Sequence, residues 1–286
     1  MTETPNCPIR NNAPHCFLTM ADFHQLPSLN DTEPEWSELN EIAEMRSRQS
    51  STAPLPSLDH LRMADFENVY EPAADTFLLV DALLFELDQN NLRGSSAENP
   101  LIAMEIGCGT GVPIIYFHSE WNKRVRASVQ SMSTLISIAT DINPEALDVA
   151  RQTANANGVG NSSGDILELI QCDLASALLP RLAGRVHVII FNPPYVPTSD
   201  EEVGNSIGIE ASWAGGLNGR RVIDRAIDQI VQLLEWPSGT AYMITVDDNR
   251  PAELARIFRD KGMEMKPLLR RRAINEFLSV QKITWI

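Results

Sequence analysis

The chain has 286 residues, of which 43% are hydrophobic, and its 38 acidic and 23 basic residues give a net charge of −15. This length accommodates one large globular domain and an additional segment. Because such a charge gives no overall attraction to phosphate groups, sequence-specific nucleic acid is not expected as a partner.

Cysteine usage and the first residues bear on the cellular compartment. Cys7, Cys16, Cys108 and Cys172 have neither the pairing of a disulfide framework nor the spacing of a zinc site, so we expect a reducing compartment and no bound metal. The start MTETPNCPIRNNAP lacks a targeting pattern, and no apolar run approaches the ~20 residues that span a bilayer. We therefore expect a soluble cytoplasmic protein without membrane contact, with the nucleus as an alternative location.

Residues 1–66 differ in texture from the rest of the chain. They are rich in Pro, Ser and Asn and carry 10 acidic and 4 basic residues. This composition predicts a largely disordered, solvated extension, within which only Leu39–Arg48 suggests a short helix. The folded domain is predicted to span residues 67–286.

A helix is predicted to begin this domain. The stretch EPAADTFLLVDALLFEL has apolar residues at helical spacing after Pro72, a residue tolerated only near a helix start. We interpret Asp75 as the N-cap of this helix.

Five short apolar runs, separated by helical segments, then predict buried parallel strands. They are LIAMEIG, LISIATD, LELIQCD, VHVIIFN and AYMITVD. The last two runs, MEMKPLLRRR and EFLSVQKITWI, are joined by a turn too short for a crossover helix, so they must be antiparallel. The pattern predicts a doubly wound α/β fold.

Two features of these strands have ordinary structural interpretations. Arg270–Arg272 are interpreted as a solvated face, with contact to RNA phosphates as the alternative. His187 is interpreted as a packed or surface strand residue.

A glycine-rich turn follows the first strand. MEIGCGTGVP places Gly107, Gly109 and Gly111 where the strand leads into a helix, so that backbone can approach a ligand closely. The same spacing occurs in dinucleotide sites, in S-adenosylmethionine sites and in turns that merely need glycine. The turn lacks the GK[ST] of a phosphate loop, which argues against a nucleoside triphosphate.

Acidic side chains stand at the ends of three successive strands. Asp141, before the predicted N-cap Asn143 and the first helical residue Pro144, is placed to accept hydrogen bonds from ribose hydroxyls. Asp173 is placed to accept from an adenine amino group, and Glu105 ends the first strand. Because carboxyl ends of parallel strands share one edge, these acids are predicted to meet in one crevice.

The fourth strand ends on the motif NPPY. Asn192 offers a side-chain oxygen, Pro193 a backbone carbonyl, and Tyr195 an aromatic face, on a backbone that two prolines stiffen. Together they suggest a clamp for a planar NH2 group, whose two N–H bonds would go to Asn192 and Pro193 while the Tyr195 ring stacks on it. The alternative is a Pro-Pro turn that only ends a strand.

The motifs EIGCGTG, TDINPEAL, CDL, FNPPYVP and GIEASWAGGLNGRRVIDR together resemble those of the HemK-like protein glutamine methyltransferases. The stretch YEPAADTFLL is similar to the YEPAEDTFLL motif of the eukaryotic and archaeal branch, which modifies the class I translation release factor. The resemblance covers Tyr70 to Ile286. It implies the class I (Rossmann-like) methyltransferase fold, with a seven-stranded, mostly parallel sheet, a C-terminal antiparallel hairpin and helices on both faces.

The resemblance also implies a cofactor, a substrate and a partner. S-adenosylmethionine would lie against a set of residues that comprises Tyr70, Thr76, Glu105, Gly107, Gly109, Gly111, Asp141, Asp173, Leu174 and Asn192. Asn192, Pro193 and Tyr195 would hold the glutamine of a Gly-Gly-Gln motif for methylation on its side-chain nitrogen. A small zinc-binding activator subunit would form a heterodimer by adding a strand to the sheet edge, and the zinc would belong to that subunit.

Three features depart from the family pattern. Ala74 stands where the family often has Glu, the predicted loop His118–Ser133 is longer than usual, and the extension of residues 1–66 has no counterpart in the family. From the residues alone, an adenine N6 methyltransferase, a lysine methyltransferase and a catalytically silent partner subunit stay open, because the clamp specifies only a planar NH2-bearing group. Glutamine is favoured over adenine by the resemblance.

Overall fold

The computed structural model describes residues 35–89, 100–127, 134–160, 166–199, 209–274 and 276–286. Its helices are α1 (Trp36–Gln49), α2 (Ala74–Asp88), α3 (Val112–Ala127), α4 (Pro144–Ala156), α5 (Leu179–Leu182), α6 (Arg221–Leu233) and α7 (Pro251–Arg259). Its strands are β1 (Leu101–Ile106), β2 (Leu135–Asp141), β3 (Ile166–Gln171), β4 (Val188–Phe191), β5 (Thr240–Val246), β6 (Met263–Arg272) and β7 (Phe277–Trp285).

The seven strands form one sheet in the order β3-β2-β1-β4-β5-β7-β6. Strands β1 to β5 pair in parallel, and β7 runs antiparallel to both β5 and β6. This confirms the predicted class I methyltransferase fold. The strand order reverses between β1 and β4, and in such sheets the crevice for a ligand opens at that point, beyond the carboxyl ends of the strands.

Both faces of the sheet are buried, which explains why its central strands are apolar throughout. In β1, Leu101 and Ala103 face the layer of α2, α3 and α4, whereas Met104 and Ile106 face the layer of α6 and α7. Side chains of a strand alternate between faces, so two covered faces require an unbroken apolar run.

Residues 35–66 are packed onto the domain, so the predicted solvated extension is wrong for this part. Helix α1 lies on the edge strand β6, where Ser47 Oγ accepts from the backbone N–H of Arg270 at 3.0 Å and Arg46 Nη1 donates to the Leu268 carbonyl at 2.9 Å. Further on, the Ala53 N–H donates to Asp81 at 2.8 Å. An edge strand carries unpaired backbone groups, and α1 satisfies two of them. Residues 1–34 lie outside the described residues, and for them the extension stays a prediction.

Two expectations about helix boundaries are also wrong. Helix α2 begins at Ala74 with Ala73 as its N-cap, so Asp75 lies in the first turn and is not the cap. The predicted loop His118–Ser133 is helical as far as Ala127, because α3 continues to that residue. Residues 128–133 lie outside the described part.

No helix in the described part of the chain is long and apolar enough to cross a membrane.

Candidate active site

A cavity of about 270 Å³ opens at the carboxyl edge of the sheet, beside the switch point. Most of the predicted site residues line it: Tyr70, Thr76, Glu105, Gly107, Gly109, Asp141, Asp173, Leu174 and Asn192. Gly111, Pro193 and Tyr195 are not among its lining residues. A Cβ at Gly111 would lie 3.0 Å from the Ala150 Cβ, so this glycine lets α3 approach α4 and is not part of the cavity wall.

The glycine turn and Asp141 form one hydrogen-bonded unit. Asp141 Oδ2 accepts from the Gly109 N–H and Asp141 Oδ1 from the Asn143 N–H, both at 2.9 Å. Asn143 Oδ1 accepts from the Glu145 N–H at 3.0 Å, which confirms Asn143 as the N-cap of α4. A carboxylate offers about four lone-pair sites, so Asp141 retains acceptors for a ligand in the cavity.

Gly107 and Gly109 have φ values of +66° and +51°, a region that favours glycine, and open space lies where their Cβ atoms would stand. No side chain therefore covers the backbone of these two glycines where they line the cavity. Behind it, Glu105 is 1% exposed and accepts from the Ile114 N–H at 3.1 Å. Burial raises the pKa of the Glu105 carboxyl well above its ordinary value, and burial also raises the pKa of Asp141.

Asp173 and Arg225 both line the cavity. The Asp173 carboxylate forms an ion pair with Arg225 of α6, and both side chains are about half exposed. The next residue, Leu174, has a φ of +52°, so a turn with positive φ follows shortly after the end of β3 in the sequence. Asp173, predicted to accept a hydrogen bond from an adenine amino group, therefore lies at the cavity. Its ion pair with Arg225 was not predicted from the sequence.

Asp75 is the main site residue that sequence reasoning missed. It is 2% exposed, and its Oδ2 accepts from Asn192 Nδ2 at 3.1 Å, from the Tyr70 hydroxyl at 3.1 Å and from the Tyr195 hydroxyl at 3.3 Å. Its Oδ1 accepts from the Thr76 N–H at 2.6 Å. One buried carboxyl group therefore links the start of α2 to the NPPY motif.

This arrangement orients the Asn192 carboxamide. Because its NH2 group faces Asp75, its oxygen must point the other way, and Asn192 Oδ1 is buried without a hydrogen-bond partner among the described residues. An unpaired buried acceptor is costly and favours a ligand that donates to it. Asn192 also lines the cavity, so this acceptor belongs to the same crevice as the glycine turn.

The tyrosines around Asp75 stay protonated. Burial and the charge of Asp75 raise the pKa of Tyr70 and of Tyr195 far above the ordinary value, so both hydroxyls act as donors. Glu276 directly precedes β7. Burial raises the pKa of its carboxyl group, and the nearby charges of Asp75 and Asp248 raise it further.

In the part of the chain that the structure describes, no group of three or more His, Cys, Asp or Glu side chains could hold a metal ion. Burial raises the pKa of the free thiols Cys108 and Cys172.

The chain is similar to known methyltransferases, although no family model matches it. It is 41% identical over 231 residues to "Methyltransferase HEMK2" of Homo sapiens, a match that covers 80% of this chain and 95% of that protein. It is 31% identical over 230 residues to the "eRF1 methyltransferase catalytic subunit mtq2" of Schizosaccharomyces pombe, covering 80% of this chain and 94% of that protein.

Among solved structures, a chain of the E. cuniculi Mtq2–Trm112 complex is 28% identical, with a TM-score of 0.49 over 76% of this chain and 99% of that one. That complex is described as responsible for the methylation of the eRF1 translation termination factor.

Proposed function

The chain belongs to the HemK-like protein glutamine methyltransferase family, on its eukaryotic branch, and we propose on that premise that it methylates a class I translation release factor. The acceptor is the side-chain amide nitrogen of the glutamine in the Gly-Gly-Gln motif, and the methyl donor is S-adenosylmethionine. The observation that carries the proposal is the buried, unpartnered oxygen of Asn192, fixed toward the cavity by Asp75.

The cofactor half of the cavity fits S-adenosylmethionine. Gly107 and Gly109 leave bare backbone where a methionine moiety would pass, and the spare lone pairs of Asp141 suit ribose hydroxyls. Asp173 and Leu174 lie where the adenine would stand. When bound, the cofactor supplies a methyl group on a positively charged sulfur, which keeps the bonding electron pair as the methyl leaves.

The acceptor half holds the glutamine amide. Asn192 Oδ1, which lines the cavity, would accept one of its N–H bonds, and Asp75 holds the side chains of Asn192 and Tyr195. The Pro193 carbonyl and the Tyr195 ring lie outside the cavity lining and, in this proposal, take the other N–H bond and stack on the amide plane when the glutamine binds. With both N–H bonds directed at acceptors, these residues would hold the nitrogen toward the methyl group that the bound cofactor would supply. An amide is a weak nucleophile, so the gain comes from this orientation and from the exclusion of water. The amide nitrogen forms the new N–C bond and releases one proton.

We also propose that a small zinc-binding activator subunit pairs with the chain at the β3 edge of the sheet. The sheet has two edges, and α1 covers the one at β6. The other, β3, has half-exposed apolar side chains at Ile166 and Ile170 and offers its outer backbone groups for an added strand. The name of the Schizosaccharomyces pombe relative, a catalytic subunit, supports a partner of this kind.

Methyl transfer from labelled S-adenosylmethionine tests the proposal. The chain, co-expressed with a small zinc-binding activator, is incubated separately with a release factor, with the same factor carrying Gln→Ala in its Gly-Gly-Gln motif, and with adenine-containing DNA. We expect label on the intact release factor alone. Label on DNA would indicate adenine as the acceptor, and label that survives the Gln→Ala change would indicate another acceptor such as lysine.

Asn192→Ala and a matched surface change, Asp148→Asn, serve as variants. Asn192→Ala removes the oriented acceptor, so transfer is expected to fall by a factor of about 10² or more, whereas Asp148 lies in an exposed pair with Arg151 and its change should have no effect. Cofactor binding without transfer to any of the acceptors by the wild-type chain would contradict the proposed activity.

A further inference from the structure

Asn249 connects three segments of the chain behind the NPPY motif. It is fully buried and ends the short 3-10 turn Asp247–Asn249 that follows β5. Its Oδ1 accepts from the Val246 N–H at 2.8 Å, and its Nδ2 donates to the carbonyl of Tyr195 at 2.9 Å and to that of Asn218 at 3.0 Å. Since the donors and the acceptor of this carboxamide are all used, its orientation is fixed.

The same junction contains two close backbone contacts. At Gly219, whose φ is +65°, a Cβ would lie 1.8 Å from the Tyr195 carbonyl oxygen and 2.6 Å from Asn249 Nδ2. At Gly215, a Cβ would lie 2.6 Å from the Pro194 carbonyl oxygen. Any other residue at these positions would push the segment away, so the two glycines allow residues 213–219 to lie directly on the NPPY backbone.

Backbone hydrogen bonds extend this contact along the chain. The Val196 N–H donates to the Trp213 carbonyl at 3.1 Å, the Gly215 N–H to the Val196 carbonyl at 2.8 Å, and the Thr198 N–H to the Gly216 carbonyl at 3.1 Å. The backbone from Tyr195 to Thr198 is therefore held by this pairing and by Asn249, whereas the Tyr195 hydroxyl is held by Asp75.

We infer that Asn249 is a positioning residue for methyl transfer, which acts through the Tyr195 carbonyl and holds the backbone of the NPPY motif, whose Asn192 lines the cavity. The inference rests on the proposed function, because it assigns Tyr195 to the glutamine amide. Asn249 is not a lining residue of the cavity, so its effect on the reaction is indirect. Its loss is expected to lower kcat and to leave the affinity for S-adenosylmethionine unchanged.

Asn249→Asp is the decisive variant. It keeps the size of the side chain and an acceptor for the Val246 N–H, but replaces the donor to Tyr195 and Asn218 with an oxygen that their carbonyls repel. With release factor and cofactor saturating, we expect kcat to fall at least tenfold while the Kd for S-adenosylmethionine stays within twofold. Hydrogen–deuterium exchange should accelerate at the amides of Val196, Thr198 and Gly215 and not in β1.

Gly219→Ala approaches the same junction from the other side and should reproduce both effects. Tyr242→Phe is the structural control, because it removes a buried hydrogen bond to Glu86 at 2.7 Å and should lower the thermal midpoint without changing kcat. The inference is overturned if kcat of Asn249→Asp stays within twofold of wild type, or if Tyr242→Phe causes the same fall. If the wild-type chain does not methylate the release factor, the proposed function fails, and the exchange data alone then decide whether Asn249 holds Tyr195.

Discussion

The two halves of the cavity are built in different ways. The cofactor half consists of turns that lie next to the strands they follow: Gly109 and Asn143 both donate backbone N–H groups to Asp141. In the acceptor half, Asn192 depends on Asp75, which is 117 positions away in the sequence, and the Tyr195 carbonyl depends on Asn249, which is 54 positions away. In the glycine turn and beside the cap of α4, the hydrogen bonds of Asp141 thus span 32 and 2 positions, whereas those of Asn192 and of the Tyr195 carbonyl span 117 and 54.

This difference predicts that the two halves can be damaged separately. A change in the acceptor half should affect kcat and leave cofactor binding intact, whereas a change in the cofactor half should affect the Kd for S-adenosylmethionine first. Methyl transfer measures the first effect, and cofactor titration measures the second.

The largest effect is expected for Asp75→Asn. The variant keeps the shape of the side chain but presents an NH2 group to a set of donors that includes Asn192 and the Tyr70 and Tyr195 hydroxyls. Asn192 loses the contact that turns its oxygen to the cavity, and a misplaced reacting group can cost about 10²-fold in rate. We expect kcat to fall by about that factor and the Kd for S-adenosylmethionine to stay within threefold.

A suitable control is Asp65→Asn, which removes a carboxylate at the protein surface that accepts from the Arg62 N–H at 2.7 Å. If Asp75→Asn weakens cofactor binding as strongly as it lowers kcat, the two halves are not separable and the comparison fails.

A smaller effect, in the opposite half, is expected for Asp141→Asn. Both carboxylate oxygens of Asp141 accept backbone N–H groups, so an amide places a donor against one of them. A hydrogen bond to a charged group contributes about 1.5–3 kcal/mol, which corresponds to roughly 10- to 100-fold in affinity. We expect the Kd for S-adenosylmethionine to rise by a factor in this range. At saturating cofactor, kcat should recover to within a few fold of wild type.

Isothermal titration of S-adenosylmethionine measures this effect directly. Asp148→Asn, on the exposed face of α4, is the matched control and should bind as the wild type does. An unchanged Kd for Asp141→Asn would show that this carboxylate does not contribute to the cofactor site.

Sequence reasoning predicted the fold and the N-cap of α4 correctly. The seven strands follow apolar runs bounded by turn residues, and the N-cap Asn143 follows from its place before Pro144. Such features depend on neighbouring residues and on the period of the hydrophobic pattern, both of which can be read directly from the sequence.

The distant contacts could not be predicted in the same way. An acidic residue in the first turn of a helix is an ordinary N-terminal signal, so nothing distinguished Asp75 from a cap. Likewise Arg270, interpreted as part of a solvated face, is 7% exposed because Asp247, Glu44 and Ser279 surround its guanidinium group. These partners come from three separate elements, and only the folded chain brings them together.

The amino edge of the sheet provides a third region, remote from both halves, and with it the smallest effect. There the Ile102 N–H donates to His187 Nδ1 at 3.2 Å, so the imidazole is neutral in the folded chain, and burial lowers its pKa. The unfolded chain, with an ordinary His pKa of about 6.5, binds the proton more readily. Stability contributed by neutral His187 is thus fully present above about pH 6.5 and is lost as the pH falls toward the lower folded pKa.

Thermal melts at pH 7.5 and pH 5.5 measure this contribution. His187→Asn retains an acceptor that does not titrate, so we expect its midpoint to fall less than that of the wild type over this interval. A smaller fall for His187→Asn than for the wild type is the expected outcome, and it would assign the lost stability to protonation of His187. Equal falls in both proteins would contradict the assignment. Because His187 lies at the opposite edge from the cavity, kcat and cofactor affinity at pH 7.5 should be unchanged, whereas Asp75→Asn and Asp141→Asn each alter one of them.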